Sequence, residues 1–468
     1  MKKTKIIATL GPASQTKEVL TKMTEAGMDV VRLNFSHGTH EDYAVKIKTI
    51  KEVRDEKQIP LPILLDTKGP EFRIKTFQDG KILLNAGDTF TFTTENMEGT
   101  QERVAVSYER ICEDLAVGDK ILLNNGLMVF RVTEIAAPNV RCVVEIGGEL
   151  SSRKSMFFPD KELHLEFLSE QDKADLLFGI EQNVDFVALS FVSKAQDVLD
   201  AKNFLAQNGG KHIDVIAKIE NRAGVNNLLE IMNVSDGIMV ARGDLGVEIP
   251  FEELPDVQKH IIDECRIHGK RVITATEMLE SMIHNPRPTR AENSDVANAV
   301  YDGTSAVMLS GETAAGDFPV QSVAAMAKIL ERAENHIEYI QAIDNFEIES
   351  VSEALSHSAS TLAKDLNAKA IVVCTRTGGT ARKVSRFRAN IPIIGITTDV
   401  HAYRKLALSW GVLPAMAEEY TSIDILFYFA KQIAKKSGLL KKGDTIVITA
   451  GTPNGKSGNS NLINVETV

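Results

Sequence analysis

The sequence predicts an α/β protein with an eight-stranded parallel (β/α)8 TIM barrel, a small inserted β-barrel domain and a final open α/β domain. Three observations support this fold class. Short apolar, β-branched runs alternate with amphipathic, helix-length segments along most of the 468 residues. A stretch of about ninety residues after Phe72 contains only short strand patterns, as small all-β domains do. Eight strand patterns lie outside that stretch and before residue 343, and eight strands close such a barrel.

Three strand and helix units open the chain. Their strands are predicted at residues 5–9, 29–34 and 62–67, and each apolar run ends in polar residues. Ser14 is predicted to cap the first helix, which ends at Gly27, and the second helix spans residues 41–56. Polar side chains therefore gather at the carboxyl ends of the strands, where active sites of such barrels lie.

Residues 71–167 are predicted to form the inserted domain. Its short strands are separated by Gly, Asn and Asp turns, a spacing typical of a small β-barrel or sandwich. These strands are predicted at residues 81–84, 89–93, 103–106, 120–123, 127–132 and 140–144. A capping-box pattern at Ser169–Asp172 then begins a helix and returns the chain to the barrel, which comprises residues 1–70 and 168–342.

Five more strand patterns complete the barrel, at residues 184–191, 214–220, 236–244, 271–276 and 305–310. One helix is predicted at 221–234, Thr289 and Glu292 form a capping box, and a last helix runs from Val320 to about Ile340. The final domain, residues 343–468, has strand patterns at 370–375, 392–397, 411–413, 445–449 and 463–465. Five strands are too few for a barrel, so we expect an open, doubly wound sheet.

Charged residues at the ends of two consecutive strands predict the chemistry of the site. Lys218 and Glu220 share one face of their strand because side chains alternate, and Arg242 and Asp244 end the next pattern. Two carboxylates without a nearby His or Cys favour Mg²⁺ or Mn²⁺ over Zn²⁺. The adjacent lysine and arginine indicate that the other partner of the metal is an anion.

Composition argues against several other classes. The net charge is -11, with 53 basic and 64 acidic residues, so wholesale nucleic-acid binding is not expected. The apolar run from Ile6 stops at Gly11, too soon for a signal peptide, and no segment approaches a membrane span. The 4 cysteines are far apart and favour buried, reduced thiols. We expect a cytoplasmic protein with neither nucleic-acid nor membrane partners.

Six motifs together resemble the pyruvate kinase family, of the bacterial type without an extra C-terminal extension. Each motif alone would be weak, but in this order they cover both halves of the predicted barrel. The motifs are Arg32–Gly38, Leu65–Glu71, Ala217–Asn221, Met239–Gly246, Asn285–Glu292 and Met308–Thr313.

The resemblance implies transfer of the phosphoryl group of phosphoenolpyruvate to ADP, which gives ATP and pyruvate in glycolysis. It implies that Arg32 and Lys218 contact the phosphoryl group and that Glu220 and Asp244 hold Mg²⁺ or Mn²⁺. A potassium ion would be held by oxygens of Asn34, Ser36, Asp66 and Thr67. Glu71 resembles the residue of the potassium-requiring branch of the family.

The same motifs imply the remaining substrate contacts. The backbone of Ala241, Arg242 and Gly243, with Asp244, resembles the cradle for the substrate carboxylate at a helix start. Thr276 resembles the threonine that delivers a proton, through water. The nucleotide contacts implied are Asn34, Arg73 and Lys154.

The final domain carries a segment that resembles the effector pocket of the family. Hydroxyls, glycines and free helix N–H groups suit a phosphate, such as that of a sugar phosphate or AMP. The residues are Thr375, Arg376, Thr377, Gly378, Gly379, Thr380 and, on a polar loop, Lys456. A plain strand-to-helix turn is the alternative. The usual state in the family is a homotetramer.

Structural alternatives exist for the catalytic residues as well. Lys218 could form an ordinary ion pair with Glu220, Glu220 and Asp244 could be solvated loop acids, and Thr276 could be a β-branched strand residue. Two other functions stay open: a weak paralogue that senses phosphorylated metabolites, and another barrel enzyme, such as an aldolase or mutase, acting on phosphoenolpyruvate or an enolate without ADP.

The chain departs from the family pattern at three places. Asn124–Gly126 reads Asn-Asn-Gly where many members have Asp-Asp-Gly, and Ser155–Asp160 replaces Gly-Val-Asn-Leu-Pro-Gly. Glu277 stands where glutamine is usual. These changes predict a slower enzyme or an altered nucleotide preference.

Overall fold

The computed structural model describes residues 2–159, 161, 167–336, 347–420, 422–452 and 460–468. The opening elements are β1 (Lys5–Thr9), α1 (Lys17–Ala26), β2 (Val30–Asn34), α2 (His40–Lys57) and β3 (Ile63–Asp66). The prediction that Ser14 caps α1 is wrong. Thr16 is the cap, since its hydroxyl accepts the Val19 N–H at 3.3 Å, whereas the Ser14 hydroxyl accepts the Gly11 N–H.

In the part that the structure describes, the insertion between β3 and the rest of the barrel contains nine strands and one short helix. They are β4 (Phe72–Arg73), β5 (Lys81–Leu84), β6 (Thr89–Thr93), β7 (Arg103–Ala105), α3 (Ile111–Asp114), β8 (Lys120–Leu123), β9 (Met128–Ala136), β10 (Asn139–Ile146), β11 (Gly148–Ser151) and β12 (Ser155–Phe157). Seven strands form a sheet in the order β4-β12-β8-β9-β10-β6-β7, and β5 pairs with β11. An isolated bridge between Ile74 and Val106 joins the two ends of the large sheet, which encloses a core of phenylalanines.

The chain then returns to the barrel. The elements are α4 (Glu170–Glu181), β13 (Phe186–Leu189), α5 (Ala195–Gln207), β14 (Asp214–Ile219), α6 (Arg222–Asn226), α7 (Leu228–Val234), β15 (Gly237–Ala241), α8 (Arg242–Glu248), α9 (Leu254–Ile267), β16 (Arg271–Ala275), α10 (Arg290–Asp302), β17 (Ala306–Leu309), α11 (Gly311–Ala314) and α12 (Pro319–Glu334). The capping boxes at Ser169 and Thr289 are confirmed.

Two local predictions in this half of the barrel are wrong. Residues 221–234 form two short helices rather than one, because Asn227 leaves the helical conformation. The strand predicted to reach Asp244 ends at Ala241, and Arg242 begins a helix instead. The end of the helix predicted to reach Ile340 lies outside the described residues.

The eight strands of these segments close a parallel barrel in the order β1-β17-β16-β15-β14-β13-β3-β2. The predicted fold class is therefore confirmed. Apolar side chains such as Ile7, Leu64, Phe186, Ile216 and Met239 fill the interior, so the barrel is a packed core. All eight carboxyl ends lie on one rim, which brings the polar residues after the strands together.

The last part of the chain forms an open five-stranded sheet. Its elements are α13 (Val351–Asp365), β18 (Ala370–Cys374), α14 (Gly379–Ser385), β19 (Ile393–Thr397), α15 (Val400–Leu406), β20 (Val412–Met416), α16 (Ile423–Lys436), β21 (Thr445–Ala450) and β22 (Leu462–Thr467). The strand order is β20-β19-β18-β21-β22, parallel except for the last pair. Within the described ranges, none of the helices has the length and apolar character needed to cross a membrane.

The sheet domain packs against the amino-terminal end of the barrel through buried ion pairs. Asp214, at the start of β14, accepts bonds from Lys405 Nζ at 2.6 Å and from Arg271 Nη1 at 2.8 Å. Arg382 of α14 lies 3.5 Å from the same carboxylate. These cations hold the pKa of Asp214 below its usual range despite the burial of the carboxyl. A strand that ends at the candidate site is therefore anchored, at its other end, by the sheet domain.

Candidate active site at the carboxyl rim of the barrel

Lys218 is the centre of a buried polar cluster at the end of β14. Its Nζ lies 3.0 Å from Asp66 Oδ1, 2.6 Å from Ser190 Oγ and 3.0 Å from Glu220 Oε1. The residue is only 8 % exposed. Burial by itself lowers the pKa of Lys218, but the charges of Asp66 and Glu220 outweigh burial and raise it. The ammonium group is therefore charged and fixed in direction.

Arg32, at the end of β2, joins the same cluster through Asp66. Its Nε donates to Asp66 Oδ2 at 2.7 Å and its Nη1 donates to Thr9 Oγ1 at 2.9 Å. Burial alone raises the pKa of Asp66, but Arg32 and Lys218 reverse that effect and lower it. An ionised Asp66 thus holds two cations side by side on the rim, where they can face a dianion.

Glu220 and Asp244 form a carboxylate pair beside Lys218. Glu220 is 1 % exposed, and its Oε2 accepts the Phe191 N–H at 2.6 Å. Burial, with repulsion from Asp244, raises the pKa of Glu220 to about 7, although Lys218 opposes the change. Burial also raises the pKa of Asp244, whose carboxyl shares a hydrogen bond with Glu220. Two acids in contact need a shared proton or a cation between them.

This pair fits a hard divalent ion with an open coordination sphere. In the parts of the chain that are described, no group of three or more His, Cys, Asp and Glu side chains could hold a metal. A divalent ion between Glu220 and Asp244 would take two carboxylate ligands from the protein and leave its other positions to water and substrate oxygens. Mg²⁺ is commonly bound in that way.

The oxygens assigned to potassium come together at the ends of β2 and β3. Asn34 is the register partner of Asp66, and its Oδ1 accepts the Ser36 N–H at 3.2 Å. The carbonyl of Thr67 accepts the Ser190 hydroxyl at 2.7 Å. The set contains only oxygen donors, which suits an alkali cation. Glu71, which follows β3, is paired with Arg73 at 2.7 Å.

Thr276 lies immediately after β16 and contacts Gly243, the residue before Asp244. Its φ is +67°, so it is not a strand residue and the β-branched strand alternative is wrong. Its hydroxyl accepts the Gly243 N–H at 2.8 Å, which ties it to the first turn of α8. The Arg242 side chain donates to the Thr276 carbonyl from beneath this turn, with Nη2 at 2.7 Å. Ala241, Arg242 and Gly243 therefore present backbone to the rim.

A basic cleft separates the barrel rim from the inserted lid. Its volume is about 490 Å³. It is lined by Ser36, His37, Lys68, Arg73, Ile74, Lys75, Thr76, Ser107 and Arg153. Arg73 is held at its mouth by Glu71 and by the carbonyl of Arg153 at 2.7 Å. Lys154 contributes its carbonyl to the Ile74 N–H at 3.0 Å. The cleft is sized and charged for a polyanion.

The lid also touches the barrel through the turn at Asn124, Asn125 and Gly126. All three residues have positive φ, and a Cβ on Gly126 would meet Val247 of α8 at 3.4 Å. The Asn-Asn-Gly departure therefore lies where the lid meets the helix that begins at the site. Asparagine tolerates this left-handed conformation well.

Sequence reasoning missed two residues, Ser190 and Phe191. Ser190 follows β13 and connects Lys218 to the Thr67 carbonyl, and Phe191 has a φ of +57° and donates its N–H to Glu220. A small polar residue directly after a buried strand was the available signal for Ser190. Nothing in the sequence marked Phe191, because only the backbone conformation gives it a role.

In the sheet domain, residues 375–378 form the turn between β18 and α14, and Gly379 and Thr380 begin the helix. Thr375 Oγ1 accepts the Gly378 N–H at 3.1 Å, and Gly378 has a φ of +83°. Thr380 bonds Ser460 at 2.6 Å, while Arg376 lies 3.6 Å from Glu419. Lys456 lies outside the described residues.

Two buried cations and a carboxylate pair meet at the carboxyl rim of the barrel, the place where such barrels carry out chemistry, so the fold and the site are those of an enzyme. The family model for the barrel domain of pyruvate kinase matches residues 1–323, and that for its alpha/beta domain matches residues 353–466.

Full-length similarity agrees with this match. Curated pyruvate kinases of Clostridium acetobutylicum and Clostridium perfringens are 44% and 42% identical over 472 and 474 residues, which cover 100% of both chains in each pair. The pyruvate kinase of Geobacillus stearothermophilus is 45% identical over 472 residues, covering 100% of this chain and 80% of that one. The chain belongs to the pyruvate kinase family and is a phosphotransferase.

Proposed function

We propose that this enzyme transfers the phosphoryl group of phosphoenolpyruvate to ADP, yielding ATP and pyruvate in glycolysis, and that it requires Mg²⁺ (or Mn²⁺) and K⁺. One observation carries the proposal: the buried residues Arg32, Asp66, Lys218 and Glu220 form a continuous network on the barrel rim with the partly exposed Asp244. Family membership supplies the substrates. Phosphoryl transfer depends mainly on positioning and electrostatics, which a fixed charge network provides.

Arg32 and Lys218 are proposed to bind the phosphoryl group. Both cations are held by Asp66, so their spacing is set before substrate arrives. A preorganised pair costs little reorganisation as charge moves in the transition state. Their buried surroundings also strengthen this interaction relative to water.

Glu220 and Asp244 are proposed to hold the divalent ion, and Asn34, Ser36, Asp66 and Thr67 the potassium ion. A bound divalent ion would neutralise developing charge on the transferred group. Burial raises the pKa of Glu220 and repulsion from Asp244 raises it further, which supports the first assignment, since a cation between the two acids would offset that repulsion. The convergence of four oxygen-bearing residues at two adjacent strands supports the second.

The backbone of Ala241, Arg242 and Gly243 is proposed to receive the substrate carboxylate, with Asp244 beside it. Thr276 is proposed to deliver the proton that converts enolpyruvate to pyruvate, through a water molecule. Its bond to the Gly243 N–H supports this role, because it places the hydroxyl next to that cradle.

The basic cleft under the lid is the proposed nucleotide site. Arg73 and Ser36 line it, and the Asn34 side chain accepts the N–H of Ser36. Lys154 is proposed to add a further contact to the nucleotide. Arg153, which lines the cleft, is proposed as another nucleotide contact. Residues 71–167 would then act as a lid over the catalytic unit formed by 1–70 and 168–342.

Regulation and assembly are proposed for residues 343–468. Residues 375–380, with Lys456, would bind a phosphorylated effector such as a sugar phosphate or AMP. A homotetramer is supported by helix α16, which leaves Ile425, Tyr428 and Phe429 exposed, and by the edge strand β22. We propose that the enzyme works in the cytoplasm.

A lactate dehydrogenase coupled assay with phosphoenolpyruvate, ADP, Mg²⁺ and K⁺ tests the function. We expect pyruvate formation that requires ADP. Consumption of phosphoenolpyruvate without ADP would instead indicate an aldolase or mutase. No turnover, combined with a rise in melting temperature on adding a sugar phosphate, would indicate a metabolite sensor.

A further inference from the structure

The Arg242 side chain forms a brace beneath the Thr276 loop. Arg242 is 7 % exposed. Its Nε and Nη2 donate to the Thr276 carbonyl at 3.1 and 2.7 Å, and Nη2 also donates to the Glu277 carbonyl at 2.9 Å. The guanidinium therefore binds two successive carbonyls of the chain. The part of Arg242 that would meet the substrate is thus its backbone, in the proposed cradle, and not its side chain.

The braced residues adopt an unfavourable backbone conformation. Thr276 has a φ of +67° and Glu277 a φ of +53°, so two successive side chains other than glycine are left-handed. Each such residue is strained and persists only where its surroundings enforce this conformation. The bonds from Arg242 are charge-assisted and can supply that enforcement.

The orientation of Arg242 is set in turn by Asp295 of α10. The Asp295 Oδ1 and Oδ2 atoms lie 2.9 and 2.8 Å from Arg242 Nη1. Gln258 Oε1 adds a longer contact to the same nitrogen at 3.4 Å. The Asp295 side chain is 35% exposed, so a neutral side chain at this position would remain hydrated and tolerated. Asp295 contacts the guanidinium of Arg242, the side chain of a residue whose backbone forms part of the cradle.

We propose that Asp295 is a positioning residue for Thr276. Acting through Arg242, it holds the left-handed loop that keeps the Thr276 hydroxyl on the Gly243 N–H. It would thereby control protonation of the enolate rather than phosphoryl transfer. This inference rests on the proposed role of Thr276.

The affected step is simple. The π electron pair between C2 and C3 of enolpyruvate takes a proton, relayed from solvent at the Thr276 hydroxyl, and forms the new C3–H bond. The charge on the enolate oxygen forms the C2=O bond of pyruvate. No oxidant or further reactant is needed.

The experiment separates the two half-reactions in full-length Asp295→Asn. Exchange of the methyl protons of pyruvate with D₂O, in the presence of ATP, Mg²⁺ and K⁺, is followed by NMR and reports protonation in reverse. We expect this exchange to slow by about tenfold or more, the range of a misplaced proton donor. The KM for phosphoenolpyruvate should change by less than about twofold, because the phosphoryl contacts are untouched.

Asp302→Asn is the matched control, since Asp302 lies on the same helix and forms an ion pair with Lys259. Asp295→Glu should recover part of the exchange. Equal exchange in Asp295→Asn and Asp302→Asn would overturn the proposal. Asp295→Asn would also overturn it by showing slower exchange, a raised KM and a lowered melting temperature together, because that combination indicates a general structural role.

Two further measurements separate this proposal from the proposed function. Absence of both half-reactions in the wild type contradicts the function itself. Normal exchange in Thr276→Val contradicts the role of Thr276 whatever Asp295 does.

Discussion

The affinity of this enzyme for a divalent ion should depend on pH near neutrality, because of Glu220. Burial and Asp244 raise the pKa of Glu220 to about 7, and a metal ligand must be deprotonated. With that pKa, about one tenth of the carboxyl is ionised at pH 6 and about nine tenths at pH 8. The apparent affinity for Mn²⁺ should therefore rise roughly tenfold between these values, or about 1.4 kcal/mol.

Titration of the substrate-free protein with Mn²⁺, followed by electron paramagnetic resonance of the free ion, measures this affinity directly. Glu220→Gln removes one ligand and, with it, the carboxyl whose raised pKa is expected to cause the pH dependence. The variant should bind Mn²⁺ more weakly at pH 8 and should lose the pH dependence between 6 and 8. Glu277→Gln is the control, because Glu277 is an exposed acid next to Thr276.

The reasoning would be refuted by a wild-type affinity that is the same at pH 6 and pH 8. That result would mean that Lys218 alone keeps Glu220 ionised. Retention of the full pH dependence in Glu220→Gln would assign the titration to another group.

Four further outcomes are expected. Lys218→Met should lower kcat by at least about 10²-fold, as loss of a preorganised transition-state contact does, while fluorescence titration shows phosphoenolpyruvate still bound; near-normal turnover would remove Lys218 from the mechanism. Ser190→Ala deletes an acceptor of Lys218 Nζ, so kcat should fall by a larger factor than KM changes, and the free energy of unfolding should fall by about 1–3 kcal/mol. An unchanged urea midpoint together with an unchanged kcat would contradict this. Asp214→Asn leaves buried cations unpaired and should cost about 3–5 kcal/mol in urea unfolding. Since the folded-state pKa of Asp214 is lowered, this contribution is complete above the unfolded pKa of about 3.9 and is lost as the pH falls below it. Omission of K⁺ from the coupled assay should sharply reduce turnover, and full activity would contradict the potassium assignment that Glu71 suggested.

Much of the fold could be predicted because barrel strands carry a strong local signal. Both faces of these strands are buried, so each reads as a short apolar run, and the strand predicted at 214–220 is observed at Asp214–Ile219. The strands β4, β11 and β12 escaped prediction because they have two to four residues and exist through their pairing partners. The break at Asn227 escaped because its neighbours continue the helical periodicity.

The residue types of the candidate site could be read from the sequence for a topological reason. Parallel strands of a closed barrel bring all their carboxyl ends to one rim, so Lys218, Glu220 and Asp244 had to lie near Arg32 and Asp66 once eight strands were recognised. The directions of individual side chains could not be read in this way. They depend on partners that the chain brings together only in three dimensions.

The sequence by itself determined the barrel, its inserted and final domains, and the charges that meet on the rim, because these follow from periodicity and strand order. Only the tertiary structure decided that Arg242 braces the Thr276 loop and that Ser190 joins Lys218 to Thr67. The reason is physical: Arg242 is oriented by Asp295, 53 residues away in the chain, and Thr276 takes a backbone conformation that its residue type disfavours. Side-chain orientations and backbone conformations of this kind depend on packing and long-range hydrogen bonds, which produce no periodic pattern in the sequence.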